Sequence, residues 1–168
     1  FILRVFNFEL EQIGSYNLGF KIFKGLAILI YFVPAYFIPS ISQSVYDQQK
    51  MRAYLNYKRP LIVSTVAALL AILWFAIPLL IKTLFGEAYN GSEQVARILI
   101  SALVLISYTS FYTPLFLALK RYRFQQLANI VQVIISVFLS ILLVRQFGIQ
   151  GVAWAVASSF AALLALNE

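Results

Sequence analysis

Cysteine and histidine are both missing from this chain, which excludes disulfide bridges and the commonest protein metal ligand. Carboxylates are scarce as well. Six Asp and Glu residues against thirteen Lys and Arg stand at well-separated or exposed positions, so no pair is placed for acid–base work and no cluster for a metal. No catalytic residue, metal site or cofactor is expected, and the chain is not expected to be an enzyme. Charge of either sign is thin, at 11% where soluble domains carry about 25%. The composition is 62% hydrophobic with a mean hydropathy of +0.86, which predicts an all-α, polytopic transmembrane bundle rather than a soluble domain.

The hydrophobic runs divide residues 1–168 into one membrane-helical region of about five predicted spans, approximately 15–39, 60–83, 95–119, 124–144 and 152–166. The net charge of +7 falls mainly between these spans, where an orientation signal explains it better than nucleic-acid binding does. Residues 42–59 carry Lys50, Arg52, Lys58 and Arg59 against Asp47 and read as a surface-lying amphipathic connector. In it, Val45, Met51, Tyr54 and Leu55 are expected against the membrane. With the basic run at 120–123, this connector marks the predicted cytoplasmic side. The loops at 84–93 and 145–150 then lie outside.

Two lysines break the apolar pattern of the first span. Lys21 and Lys24 share a helical face with Asn17 and Phe20, and a lysine at the bilayer centre costs roughly 2.5 to 3.5 kcal/mol on insertion scales. Either they snorkel toward the interface, or they line a watery cavity; Lys24, about 14 Å deep at 1.5 Å per residue, has the harder route out. Pro34 is expected to kink this helix or merely curve it. The second span is the cleanest, with only Ser64 and Thr65 as polar interior residues, each able to bond its own backbone; Val63 is expected to face lipid. Trp74 lies too deep to anchor at the interface.

The third span begins with Arg97 and carries Ser101, Tyr108 and Tyr112 at helical spacing. In the fourth, Gln125, Asn129, Gln132, Ser136 and Ser140 form a single stripe. Amides at this density serve either as interhelical hydrogen-bonding glue or as a lumen lining. The last span sets Gly151, Ala155, Ser159 and Leu163 four apart, a small-residue packing face.

Three segments, IGSYNLGFKIFKG, LFGEAYNGSEQVARIL and ALKRYRFQQLANIVQVIISVFLSILLVRQFGIQGVAWA, resemble the C-terminal half of bacterial polysaccharide flippases. These are the Wzx-like O-antigen and exopolysaccharide transporters of the multidrug/oligosaccharidyl-lipid/polysaccharide exporter superfamily. The FGEAYNG turn and the FGIQG turn are its sharpest parts. The resemblance implies the second lobe of a two-lobe transporter, a fragment of a longer multi-pass inner-membrane chain, with the N-terminal lobe and membrane lipids as its partners. It further implies a substrate, an undecaprenyl-diphosphate-linked oligosaccharide destined for surface polysaccharide such as lipopolysaccharide, flipped by alternating access. On that reading Lys21, Lys24 and Arg97 meet the diphosphate, while Asn17, Tyr108, Gln125, Asn129 and Gln132 meet sugars in the lumen. A cation-coupled multidrug antiporter of the same superfamily is the alternative. It would normally need a carboxylate inside a span, and none of the five predicted spans has one. A membrane-embedded glycosyltransferase and a purely structural subunit are further alternatives.

Overall fold

The computed structural model describes residues 8–36, 39, 41, 47–86 and 89–167, and among them the regular structure is entirely helical. The elements are α1 (Leu10–Tyr36), α2 (Gln48–Ala53), a π-helical turn (Tyr54–Lys58), α3 (Arg59–Phe85), α4 (Asn90–Ser110), α5 (Tyr112–Ala118) and α6 (Tyr122–Asn167). Four stretches are long and apolar enough to cross a membrane: Leu10–Tyr36, Gln49–Phe85, Gly91–Ala118 and Tyr122–Asn167.

α4 is the hub. Val95, Ala96, Leu99, Ile100, Ala102, Leu103 and Ile106 are all but inaccessible, and α1, α6 and α3 each pack against this helix. The reason lies in side-chain size. α1 approaches α4 through Ser15, Gly19, Phe23, Ala27, Ile30 and Pro34, whose spacing of three and four makes one face. A methyl group on Gly19 would stand 3.0 Å from Val95 Cγ1 and 3.1 Å from the Ala96 nitrogen. Small residues at a crossing let two backbones approach and gain dispersion contacts where apolar burial supplies no drive.

α6 spans 46 residues, about 69 Å as a straight rod and more than twice the ~30 Å hydrocarbon core. It is not straight. Gly148 takes φ 57° and ψ −138°, a backbone region open essentially to glycine alone. Gln132 Nε2 donates to Ser159 Oγ at 2.8 Å across 27 residues of sequence, a separation that would be ~40 Å along a continuous helix. The halves 122–147 and 149–167 therefore fold back on each other. The predicted loop at 145–150 is instead helical on either side of a single reversing residue. Gly151 and Ser159 of the small-residue face meet the preceding half, and Ala155 and Leu163 are buried with them.

The third predicted span is divided rather than continuous. A turn at Phe111 separates α4 from α5, because Pro114 has no N–H to offer the carbonyl of Ser110. Ser64 and Thr65 both donate to the Leu61 carbonyl at 2.9 Å, as their positions in an apolar helix require. Val63, expected at the lipid, is buried with Ile41, Tyr54 and Phe111.

The connector also differs from expectation. Met51, Tyr54 and Leu55 pack in that same protein cluster rather than lying free against lipid, while Val45 lies outside the described residues. Asp47 caps α2, accepting from the Gln49 and Lys50 amides at 3.1 and 3.2 Å and pairing with Lys50 Nζ at 3.2 Å. The bond from the Lys50 backbone N–H, followed by that from its side chain, holds the Asp47 carboxyl below its usual range. Because the folded value is the lower one, the cap's contribution is complete above the unfolded carboxyl's titration and fades as pH falls through the folded value. Amide exchange at Gln49 and Lys50, corrected for intrinsic rates, should therefore quicken only in strongly acid solution. In Asp47→Ala it should be quick at neutral pH too.

Candidate functional site

The residues that sequence places in a lumen divide into three groups in space. Asn17, Lys21 and Lys24 are exposed together, with Lys24 at the edge of the face by which α1 meets α4. Lys24 stands at the middle of the 27-residue helix. Its Nζ lies 5.1 Å from the Phe20 ring centroid, a cation–π contact that holds the ammonium without neutralising it. It borders a pocket of about 360 Å³ formed with Phe23, Ala27, Ile28, Tyr31, Ile106 and Phe160, so its stem is apolar and its head is the one charge there. Among the described residues no carboxylate pairs with either lysine.

Arg97 belongs elsewhere. Its Nη1 is 3.1 Å from Glu93 Oε1 one turn earlier, and its guanidinium lies 4.6 Å from the Trp74 ring. That contact directs it toward α3 rather than the lysine face, and it gives the deep Trp74 a role the sequence alone did not supply. Tyr108 belongs to yet another group, centred on Arg59. This arginine is buried, only 7% exposed. Its guanidinium carbon is 4.2 Å from the Tyr108 ring and 4.5 Å from that of Tyr112, and Nη1 donates to the Tyr112 hydroxyl at 3.0 Å.

No family model, curated protein or solved structure matches the chain. The site must be read from its chemistry.

The amide stripe of α6 is largely engaged inside the chain. Gln125 Nε2 donates to Thr113 Oγ1 of α5, and Gln132 ties the two halves of α6 together. Ser140 is buried, and Asn129 is exposed. Of the two readings of this stripe, Gln125 and Gln132 follow the interhelical one, each retaining a carbonyl oxygen able to accept a further bond. Within the described residues, then, the lysines, Arg97, Tyr108 and the amides do not line one common cavity.

Two groupings escaped the sequence reading. Arg59 was counted with the exposed basic connector, although its position at the Arg-Pro start of an apolar helix, with tyrosines four apart elsewhere, carried some signal. The other is a polar cleft where the start of α1, the start of α4 and the reversal of α6 meet. It holds about 420 Å³ and is lined by Phe8, Glu11, Gln12, Gln94, Phe147 and Gln150, with Ser15, Gly91, Val95, Gly148 and Ile149 completing it. Only the folded chain brings these three segments together.

Proposed function

We propose that this chain is part of the second lobe of an inner-membrane flippase for lipid-linked oligosaccharides, in which the Asn17–Lys21–Lys24 face of α1 turns toward the transport path. The observation that carries the reading is Lys24, exposed at the middle of an apolar helix and bordering a pocket with Ile106 of α4 and Phe160 of α6. Cations so placed face protein or water rather than lipid tails. A diphosphate-linked lipid is a fitting cargo, since two ammonium groups attract its charge in a low-dielectric channel without chemistry. In this reading the folded-back α6 crosses twice, which makes five crossings. The exposed Lys50, Arg52, Lys58, Lys120, Arg121 and Arg123 then lie on the cytoplasmic side. The N-terminal lobe of the same chain supplies the facing wall, and the two lobes rock about the cargo.

The antiporter alternative has less support. Among the described residues the carboxylates of the membrane-length helices α1 and α4 stand in their first turns, Glu11 in α1 and Glu93, paired with Arg97, in α4.

Accessibility tests the path directly, in a cysteine-free full-length parent held in lipid nanodiscs, which leave both membrane faces open to a membrane-impermeant maleimide. Lys24→Cys should label, as should Lys120→Cys in the exposed connector, whereas Ile72→Cys, on the uncovered side of α3, should not. Protection at 24 with normal labelling at 120 would return the lysines to snorkelling. In proteoliposomes, Lys21→Leu/Lys24→Leu should slow flipping by about tenfold or more, in line with roughly 1.5 to 3 kcal/mol for a hydrogen bond to a charged group. Unchanged flipping would make the helix structural.

A further inference from the structure

The cleft between the starts of α1 and α4 and the Gly148 reversal is built for a ligand unlike a diphosphate. Its polar lining consists of three primary amides, Gln12, Gln94 and Gln150, one carboxylate, Glu11, and the Ser15 hydroxyl at its floor; no Lys or Arg lines it. Gln150 Nε2 donates to Gln94 Oε1, which leaves the Gln94 amino group and the Gln150 carbonyl oxygen facing outward from a braced pair. Among the described residues, the side chains of Gln12 and Glu11 take no partner within the chain. Phe8 and the 58%-exposed Phe147 add apolar rings to the wall.

Such a lining offers closely spaced donors and acceptors in both senses, beside aromatic faces and with no positive charge. That is the chemistry that recognises a neutral polyhydroxylated ligand. Each hydroxyl of a sugar both gives and receives a hydrogen bond, which an amide or carboxylate answers in two directions, and the C–H face of the ring packs on an aromatic side chain. An anion would meet Glu11 with no lysine or arginine in the lining to offset it. A purely apolar guest would strip water from the polar side chains of the lining without replacing their bonds. The volume, about 420 Å³, lies within the range of small-molecule sites and accommodates one or two sugar units.

We infer that this cleft is a saccharide-binding site, holding one or two neutral sugar residues between the Gln94–Gln150 amide pair, Gln12 and Glu11, with Phe147 against a ring face. It lies at the end of the bundle away from the basic connectors, so under the proposed orientation it opens on the outer side. There it would receive the glycan of a translocated molecule. The inference rests on the flippase reading for the source of that glycan, and on the lining alone for its recognition.

The test is saturation-transfer NMR on the full-length protein in nanodiscs, with maltose, lactose and N,N′-diacetylchitobiose as separate probes. At least one should show saturable transfer at millimolar concentration. Gln94→Leu and Gln150→Leu should each weaken it by about fivefold, the usual scale for losing a neutral hydrogen bond, and Phe147→Ala should do likewise. Each variant is compared only if its elution profile and thermal midpoint match the parent. Should one fail that check, Gln12→Leu, at an exposed position in the first turn of α1, replaces it. Lys58→Leu, at an exposed position of the basic connector, should leave saccharide binding intact. Absence of saturable transfer from all three sugars up to tens of millimolar would overturn the inference, as would transfer that survives in the cleft variants. Saccharide binding without flipping would sink the transport proposal and leave the cleft standing; flipping without saccharide binding would do the reverse.

Discussion

Gly151→Ala should disrupt the C-terminal hairpin more than any other single methyl addition at a described glycine. A Cβ at this position would overlap the Leu143 carbonyl oxygen and carbon and stand 3.0 Å from the Val144 nitrogen. All are backbone atoms of the opposing half of α6, so no rotamer change relieves the overlap. Separating the two halves enough to admit the methyl would also pull Ser159 away from Gln132, whose bond otherwise holds the helices together farther along. Overpacking a well-packed site costs typically 1 to 3 kcal/mol; with backbone on both sides, a loss on the order of 3 to 5 kcal/mol is expected, among the largest single-residue effects. The thermal midpoint of the full-length protein in mild detergent reads it, together with the fraction that elutes as a single species. Gly25→Ala is the control, since its Cβ would meet nothing within 4 Å and alanine is the better helix former by roughly 1 kcal/mol. Equal midpoints for the two variants would mean that the close approach at residue 151 does not exist.

Arg59→Leu is expected to have the second-largest effect. The substitution removes a guanidinium held between the rings of Tyr108 and Tyr112 and bonded to the Tyr112 hydroxyl. Each desolvated cation–π contact contributes up to about 2 kcal/mol and the charge-assisted bond about 1.5 to 3. Relief of the cost of burying a cation offsets much of that sum, so a net loss of roughly 2 to 3 kcal/mol is expected. Arg59→Lys should lose nearly as much, because an ammonium lacks the flat surface that stacks on two rings at once. Tyr112→Phe keeps the ring and gives up only the hydroxyl, so it should cost about 1.5 kcal/mol, the lower end of the range for a bond to a charged group. The ordering Leu, then Lys, then Tyr112→Phe is read from thermal midpoints. A Lys58→Leu control removes one connector charge from an exposed position and should leave stability unchanged. If Arg59→Leu behaved like Lys58→Leu, the arginine would be an orientation charge and nothing more.

These two residues also show what the sequence could reveal. The helices were legible because a chain with so many apolar residues and so few charges leaves long uninterrupted runs, and Pro60 and the polar connectors marked their limits. The division at Phe111 was half-legible from Pro114. The reversal of α6 was expected as a loop of several residues; that Gly148 alone carries it depends on a backbone conformation that sequence does not display. Arg59 looked like its neighbours Lys50, Arg52 and Lys58, and only the fold separates the buried member from the exposed ones. Lys21 and Lys24 were conspicuous through their cost in an apolar helix, and the structure adds that both are exposed, Lys24 beside a pocket it shares with Ile106 of α4. Arg97 shared their chemistry but not their direction, since which helix lies beside a residue is a tertiary fact. The saccharide cleft was invisible for the same reason: its amides lie on three segments, each unremarkable by itself.

The central position of α4 carries a mechanical consequence. α1, α3 and the second half of α6 all lean on this helix, while contact between α1 and α6 is slight and α1 and α3 share at most marginal contact. The bundle is thus a wheel of spokes on one axle rather than a closed ring. A tilt imposed on α1 by a load at its lysines can reach the basic connector and Arg59 through the axle, by way of the Ser15–Gly19 crossing at one end of α4 and Tyr108 near its other end, and directly through Val33, which packs against the Tyr54–Val63 cluster. Stiffening or loosening that crossing should alter how the two faces of the membrane sense each other without touching either.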